Sequence, residues 1–295
     1  MPGIAAEGLL LQMLEMELNL SYTLRMTLRG ADRRHKCWRP GWRGIARQLL
    51  VGLILVLSIA VSFTGDAHAQ GRGAAEAPRT AKAAALFDPT GYWVSIVTED
   101  WRFRMVTPPK GDYTGVPLSA EGRKIADGWD PAKDEAAGEQ CRSYGAPSIL
   151  RVPGRLHITW QDDQTLKIEA DAGKQTRMLY FGAARANSGG GWQGLSKASW
   201  DIVPAGRGQA PIGSLKAITS DLKPGYLRKN GVPYSATTLL TEYFDRVAEP
   251  DGNSYLVITT TVEDPVYLTQ PFATASHYRK QPTADGWNPT PCSSR

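Results

Sequence analysis

The sequence predicts an all-β fold: an antiparallel barrel of about eight to ten strands with a short helical insertion after the first strand. Three observations carry this. Between Arg151 and Lys280, short β-rich segments recur with Gly, Asn, Asp or Pro punctuation between them. The clearest of them alternates, with Leu156, Ile158 and Trp160 on one face and Arg155, His157 and Thr159 on the other. The alternating strand and helix rhythm of a parallel sheet is missing. Meander-like hairpins favour an up-and-down barrel, because closure removes exposed edges.

The N-terminal part reads as a leader. Arg29, Arg33, Arg34, Lys36, Arg39, Arg43 and Arg47 form a basic region, Gln48 to Phe63 is a charge-free apolar run, and Ala67-His68-Ala69 is a small-x-small site. That order is a secretory signal, with cleavage expected after Ala69 and delivery to the periplasm or medium. The apolar run is near the short end for a membrane span, so contact with a membrane is expected, if at all, through an uncleaved leader. Met1, Met16 and Met26 are alternative starts. Residues 1–69 hold 8 of the 34 Lys and Arg and 5 of the 29 Asp and Glu, leaving 26 basic and 24 acidic residues in the mature chain. That near balance, with no basic stripe interleaved with aromatics, gives no case for nucleic acid.

Residues 70–85 are rich in Ala, Gly and Arg without apolar periodicity and read as a flexible tether, leaving residues 86–295 as a single barrel domain. Gly91 to Val106 is the first strand, with a bend expected at Glu99-Asp100, before Pro108-Pro109 breaks it. Ser119 is a natural N-cap for a helix running to about Asp127, and Trp129-Asp130-Pro131 ends it. Strands follow over Arg155–Trp160, Thr165–Ala170 and Gln175–Phe181. Residues 192–203 form a strand pair or one long bent strand, and Ser214–Ser220 is next. Pro224 to Tyr234, with two Pro and two Gly, reads as a loop before strands at Thr238–Val247, Tyr255–Val262 and Ala273–Lys280.

The motif order resembles that of lipocalins and other calycins. Gly91-Tyr92-Trp93 stands on the first strand, Thr241-Glu242-Tyr243 lies late in the chain, and Arg279 is near the end. The resemblance implies a lipocalin-like barrel with Arg279 packed on Trp93. The chain is also similar to a family of exported bacterial β-barrel proteins through Gly225–Tyr234, Thr241-Glu-Tyr-Phe244, Glu263-Asp-Pro265 and Trp287-Asn-Pro-Thr-Pro-Cys292. That likeness implies secretion and a barrel and brings no activity with it.

Several residues are candidates for chemistry, each against a structural alternative. Asp100 and Arg102, with Trp101 and Arg104 beside them, form a possible acid/base and anion-clamp group at the barrel mouth, or an ion pair at a bulge. Glu242 shares a face with Leu240 and Phe244, so inside a barrel it needs a partner; Arg104, Arg177 and Lys216 are the choices. His157 is a weaker acid/base candidate. His157 and His277 stand alone on their strands, so no metal or other cofactor is expected. Tyr226, Arg228 and Tyr234 crowd the Pro/Gly loop and, with Tyr243, are candidate ligand contacts. Cys141 and Cys292 are a disulfide or two thiols; export favours the bridge. The reading that follows is an exported barrel binding a small, largely apolar molecule in its interior. Its alternatives are a barrel enzyme doing acid/base chemistry of hydratase, lyase or isomerase type, and an envelope interaction protein.

Overall fold

A computed structural model of the chain describes residues 79–182, 190–204 and 206–294. The leader expected over residues 1–69 and most of the tether lie outside the described residues. Nine strands close into a barrel in the order β1-β11-β10-β9-β6-β5-β4-β3-β2. They are β1 (Gly91–Ile96), β2 (Arg155–Asp162), β3 (Thr165–Ala170), β4 (Gln175–Phe181), β5 (Leu195–Val203), β6 (Ile212–Ser220), β9 (Leu239–Ala248), β10 (Ser254–Glu263) and β11 (Phe272–Gln281). A separate hairpin of β7 (Gly225–Arg228) and β8 (Val232–Tyr234) stands between β6 and β9. The closed, mostly antiparallel barrel is compatible with a calycin-like fold.

One seam breaks the meander. β4 and β5 pair in parallel over Leu179–Phe181 and Ser196–Ala198. Parity explains why some seam must. Around a closed ring of nine strands, directions cannot alternate at every step, so at least one neighbouring pair runs the same way. The other barrel pairs are antiparallel.

The barrel interior is a packed core. Alternate residues of the strands turn Trp93, Leu156, Ile158, Leu166, Leu179, Leu215, Phe244, Leu256, Ile258 and Tyr278 inward into one cluster. The void against the Arg177 side of this core amounts to about 10 Å³, room for one water at most. Where the sequence led to an apolar cavity, side chains of this cluster pack together. Residues 79–85 close one end. Ala81 is buried there, and its carbonyl accepts from Trp200 Nε1 at 2.9 Å. Phe87 and Phe181 pack on the same indole.

The helical insertion covers the opposite end. It comprises α1 (Trp101–Arg104), α2 (Ala120–Asp127), α3 (Pro131–Ala136), a 3-10 turn (Gln140–Tyr144) and α4 (Ala146–Ile149). The first strand is shorter than expected. It stops at Ile96, and past the expected bend the chain coils instead of continuing. Asp100 takes a left-handed conformation (φ +49°), and α1 starts directly after it. Helix α2 forms as its cap requires: Ser119 Oγ accepts from Gly122 N at 3.0 Å.

The segment expected to be a loop at 224–234 is the hairpin β7–β8. Every residue of both strands is buried, because the insertion packs over them. Gly231 makes the turn at φ +84°, and a β-carbon there would lie 2.2 Å from Trp129 Cβ. Leu227, Val232 and Tyr234 join Tyr113, Ala126 and Leu268 in a second core. Cys141 and Cys292 form a disulfide that ties the C-terminal tail to the 3-10 turn. Among the described residues, no helix is long and apolar enough to cross a membrane.

The strand register corrects one expected contact. Val94, not Trp93, is opposite Arg279, and Arg279 is exposed on the outer wall. Trp93 is opposite Lys280, whose ammonium sits 5.1 Å over the indole and donates to Thr90 O.

A candidate anion site at the barrel mouth

Where the insertion meets the β7–β8 hairpin, it leaves a cavity of about 150 Å³. Its wall includes Phe103, Arg104, Met105, Arg151, Leu227 and Arg228. Three separate segments bring these together. Helix α1 and its C-cap supply Phe103, Arg104 and Met105, the turn after α4 supplies Arg151, and β7 supplies the last two.

All three arginines are more than nine-tenths buried. Arg104 donates Nε–H to Arg151 O at 2.9 Å and pairs through Nη1 with Glu99. Arg151 Nη2 reaches Asp100 Oδ2 at 2.9 Å. Arg228 donates through Nη1 to Thr114 O at 2.8 Å, and its guanidinium lies 4.3 Å over the Phe103 ring. Among the described residues, Arg104 Nη2, Arg151 Nη1 and Arg228 Nε are buried without a hydrogen-bond partner. No carboxylate of the described residues stands within ion-pair distance of Arg228. Glu99 and Asp100 pair with Arg104 and Arg151, Arg228 feels Asp100 and Asp112 only at longer range, and Lys229 adds a further cation to the wall. The electrostatics reflect it. Burial, then the neighbouring charge of Arg151, pushes the Arg228 guanidinium down to about 10. Burial also pushes Arg151 down, against the pull of Asp100.

On the outer side of this group, Glu99 links Arg104 to the barrel wall. His277 Nδ1 is 2.7 Å from Glu99 Oε2, and Thr98 Oγ1 also donates to that oxygen. Burial works to raise the Glu99 carboxyl. The hydrogen bonds from Thr98 and His277 and the charge of Arg104 outweigh it, so the carboxyl is held below its ordinary value. Glu99 and His277 are within hydrogen-bond reach, but neither lines the cavity.

The sequence candidates fall into separate places. Arg104 and Arg228 line the cavity, and Asp100 holds Arg151 at its edge. Trp101 is 64 % exposed beside it, and Arg102 turns to solvent and pairs with Asp112 at 2.7 Å. Tyr226 is buried away from the cavity, its hydroxyl 3.3 Å from Asp134 and its ring 4.8 Å under Arg142. Burial pushes that phenol up to about 12. Tyr234 is fully buried, packed so tightly on Gly145 and Gly225 that a β-carbon at either would strike its hydroxyl. Tyr243 is on the outer wall near Lys216. His157 also faces outward, stacked on Tyr92 at 4.2 Å with Nδ1 3.2 Å from Glu169.

Glu242 lies inside the barrel, fully buried. Arg177 forks onto it, with Nη1 to Oε1 at 3.0 Å and Nη2 to Oε2. Arg177 also donates to Ser196 Oγ at 2.9 Å and Thr219 Oγ1 at 2.7 Å. This is a closed ion pair, satisfied on both sides.

Sequence reasoning missed Arg151. Its role depends on Asp100, 51 residues earlier, meeting it across the mouth; no local pattern signals that. Among the described residues, no three His, Cys, Asp or Glu converge as a metal site would need. Compared with models of protein families, with curated proteins and with solved structures, the chain shows no match.

Proposed function

We propose that this protein is an exported binding module that takes an anionic ligand group in the cavity at the barrel mouth. Arg104, Arg151 and Arg228 are the donors. The observation that carries the reading is that three buried arginines line one cavity and that each keeps a guanidinium nitrogen without a partner among the described residues, Arg228 with no carboxylate at ion-pair distance. A buried cation without a counter-charge is costly, and so is a buried donor without an acceptor. An anion removes both penalties at once. About 150 Å³ equals roughly five waters of liquid volume at about 30 Å³ each. That suits a carboxylate, phosphate or sulfate group and is too small to enclose a drug-sized molecule. The packed cluster in the barrel interior supports the mouth as the place of binding. Export is supported by the basic, apolar and small-residue order of residues 29–69 and by the Cys141–Cys292 disulfide.

The test is isothermal titration calorimetry at low ionic strength with acetate, phosphate and sulfate. The expected result is saturable one-site binding of at least one of these anions, weakened about tenfold or more by Arg228→Gln, since a charge-assisted hydrogen bond contributes about 1.5–3 kcal/mol. No binding of any of the three, or binding indifferent to Arg228→Gln, would overturn the reading.

A further inference from the structure

Three large apolar side chains stand exposed at the rim of the anion cavity. Trp101, Met105 and Val106 are 64, 60 and 67 % exposed. They lie on one short segment, and Met105 N donates to Trp101 O at 2.9 Å, one helical turn apart. Met105 belongs to both features, since it also lines the cavity. Exposed hydrophobic residues scattered singly need no explanation, but three within six positions, one of them in the wall of a cationic cavity, form an apolar shelf beside it.

The cavity and the shelf have complementary demands. The cavity is too small for more than a head group, and Arg104, Arg151, Arg228 and Lys229 make its wall cationic. The shelf offers apolar surface that water covers poorly. We infer that the site takes a soluble, single-chain amphiphile with an anionic head: the head enters among Arg104, Arg151 and Arg228, and the apolar body lies along Trp101, Met105 and Val106. This inference rests on the anion-binding reading above and adds the class of ligand. Charge complementarity selects the orientation, because the apolar end could enter the cavity only by leaving the guanidinium donors unpaired. Trp101 supplies a broad apolar face, and Met105 an adaptable one suited to chains of varied shape.

The experiment is a titration of the whole protein with straight-chain carboxylates (acetate, hexanoate and decanoate, each below its micelle-forming concentration), followed by calorimetry and by Trp fluorescence. Each methylene half-covered by the shelf should tighten binding about twofold. Hexanoate should then bind roughly 15-fold, and decanoate roughly 250-fold, more tightly than acetate. The double variant Trp101→Ser/Val106→Ser changes exposed positions outside the cavity wall, so its fold should persist. It should remove most of the gain of decanoate over acetate and leave acetate binding unchanged. Acetate binding that depends on Arg228, without any gain along the series, overturns the amphiphile inference while the anion reading stands. Absence of any anion binding overturns both. A parallel arm uses vesicles of zwitterionic lipid containing anionic phospholipid: binding to vesicles without binding to monomeric decanoate assigns the shelf to a membrane surface and overturns the inference.

Discussion

The buried Arg177–Glu242 pair gives a sharp test of the packed interior. Each member is removed in turn, as Arg177→Met and Glu242→Leu, and then both together. With Arg177 gone, the Glu242 carboxylate, at 0 % side-chain exposure, stays in the core without its counter-charge. With Glu242 gone, Arg177, at 4 %, keeps only hydroxyl partners. Breaking a buried pair from one side costs about 3–5 kcal/mol, so each single variant should fall by that amount. The double variant behaves differently. Ser196 Oγ and Thr219 Oγ1 are 2.9 Å apart and can hydrogen-bond to each other once the guanidinium is gone. No charge and no orphaned hydroxyl remain, so the double variant should lie within about 1–2 kcal/mol of the parent. The coupling energy is then about 3 kcal/mol or more. Urea unfolding at pH 7 with unchanged m-values measures it. Additive single effects, or single effects below about 1 kcal/mol, would mean that water reaches the pair, and the account of a filled barrel would be wrong.

Three other outcomes follow from the same geometry. The Cys141–Cys292 bridge closes a loop of sequence separation 151, for which the chain-entropy relation gives about 5 kcal/mol; Cys141→Ser/Cys292→Ser should lose a large part of that in urea unfolding, and an unchanged midpoint would show that the tail contributes nothing through the bridge. Tyr278, buried in the barrel, donates to Leu150 O at 2.8 Å, so Tyr278→Phe should cost about 1–3 kcal/mol by stranding that carbonyl, and a neutral effect in the same assay would contradict the hydrogen bond. Because the Glu99 carboxyl is held below its ordinary value, it contributes stability that is present above the unfolded-state value of about 4.3 and is lost as pH falls through the lower folded-state value. Thermal melts between pH 2 and 6 should therefore show a shallower acid limb in Glu99→Gln, and an identical slope would remove Glu99 from the titration.

Much of the fold was legible because it rests on short-range signals. The alternation of β2 and β3, the Ser119 cap and the turn punctuation each depend on neighbouring residues, and each produced the expected element. The disulfide was legible from compartment and even count. What was missed depends on register or on distant pairing. Trp93 and Arg279 were matched by motif order, yet a shift of one residue turns Arg279 to solvent and brings Lys280 to the indole. The β7–β8 hairpin carried a usable signal, the turn dipeptide Asn230-Gly231, that Pro224 and Pro233 on either side masked. The parallel β4–β5 seam follows from strand number, which no single segment encodes. The site was half legible. Arg104 and Arg228 stood out as charged residues among aromatics, but the packed interior and Arg151 emerge only when the barrel closes.

The central claim is that an anion enters among three buried arginines at the barrel mouth. The most direct measurement is side-chain nitrogen NMR of the arginine Nε–H groups during titration with an anion. Arg228 Nε has no partner among the described residues, whereas Arg102 is exposed and paired with Asp112. The account predicts a saturable shift of the Arg228 resonance and a stationary Arg102 resonance. A stationary Arg228 resonance, or a common linear drift of all arginines with salt, would contradict it.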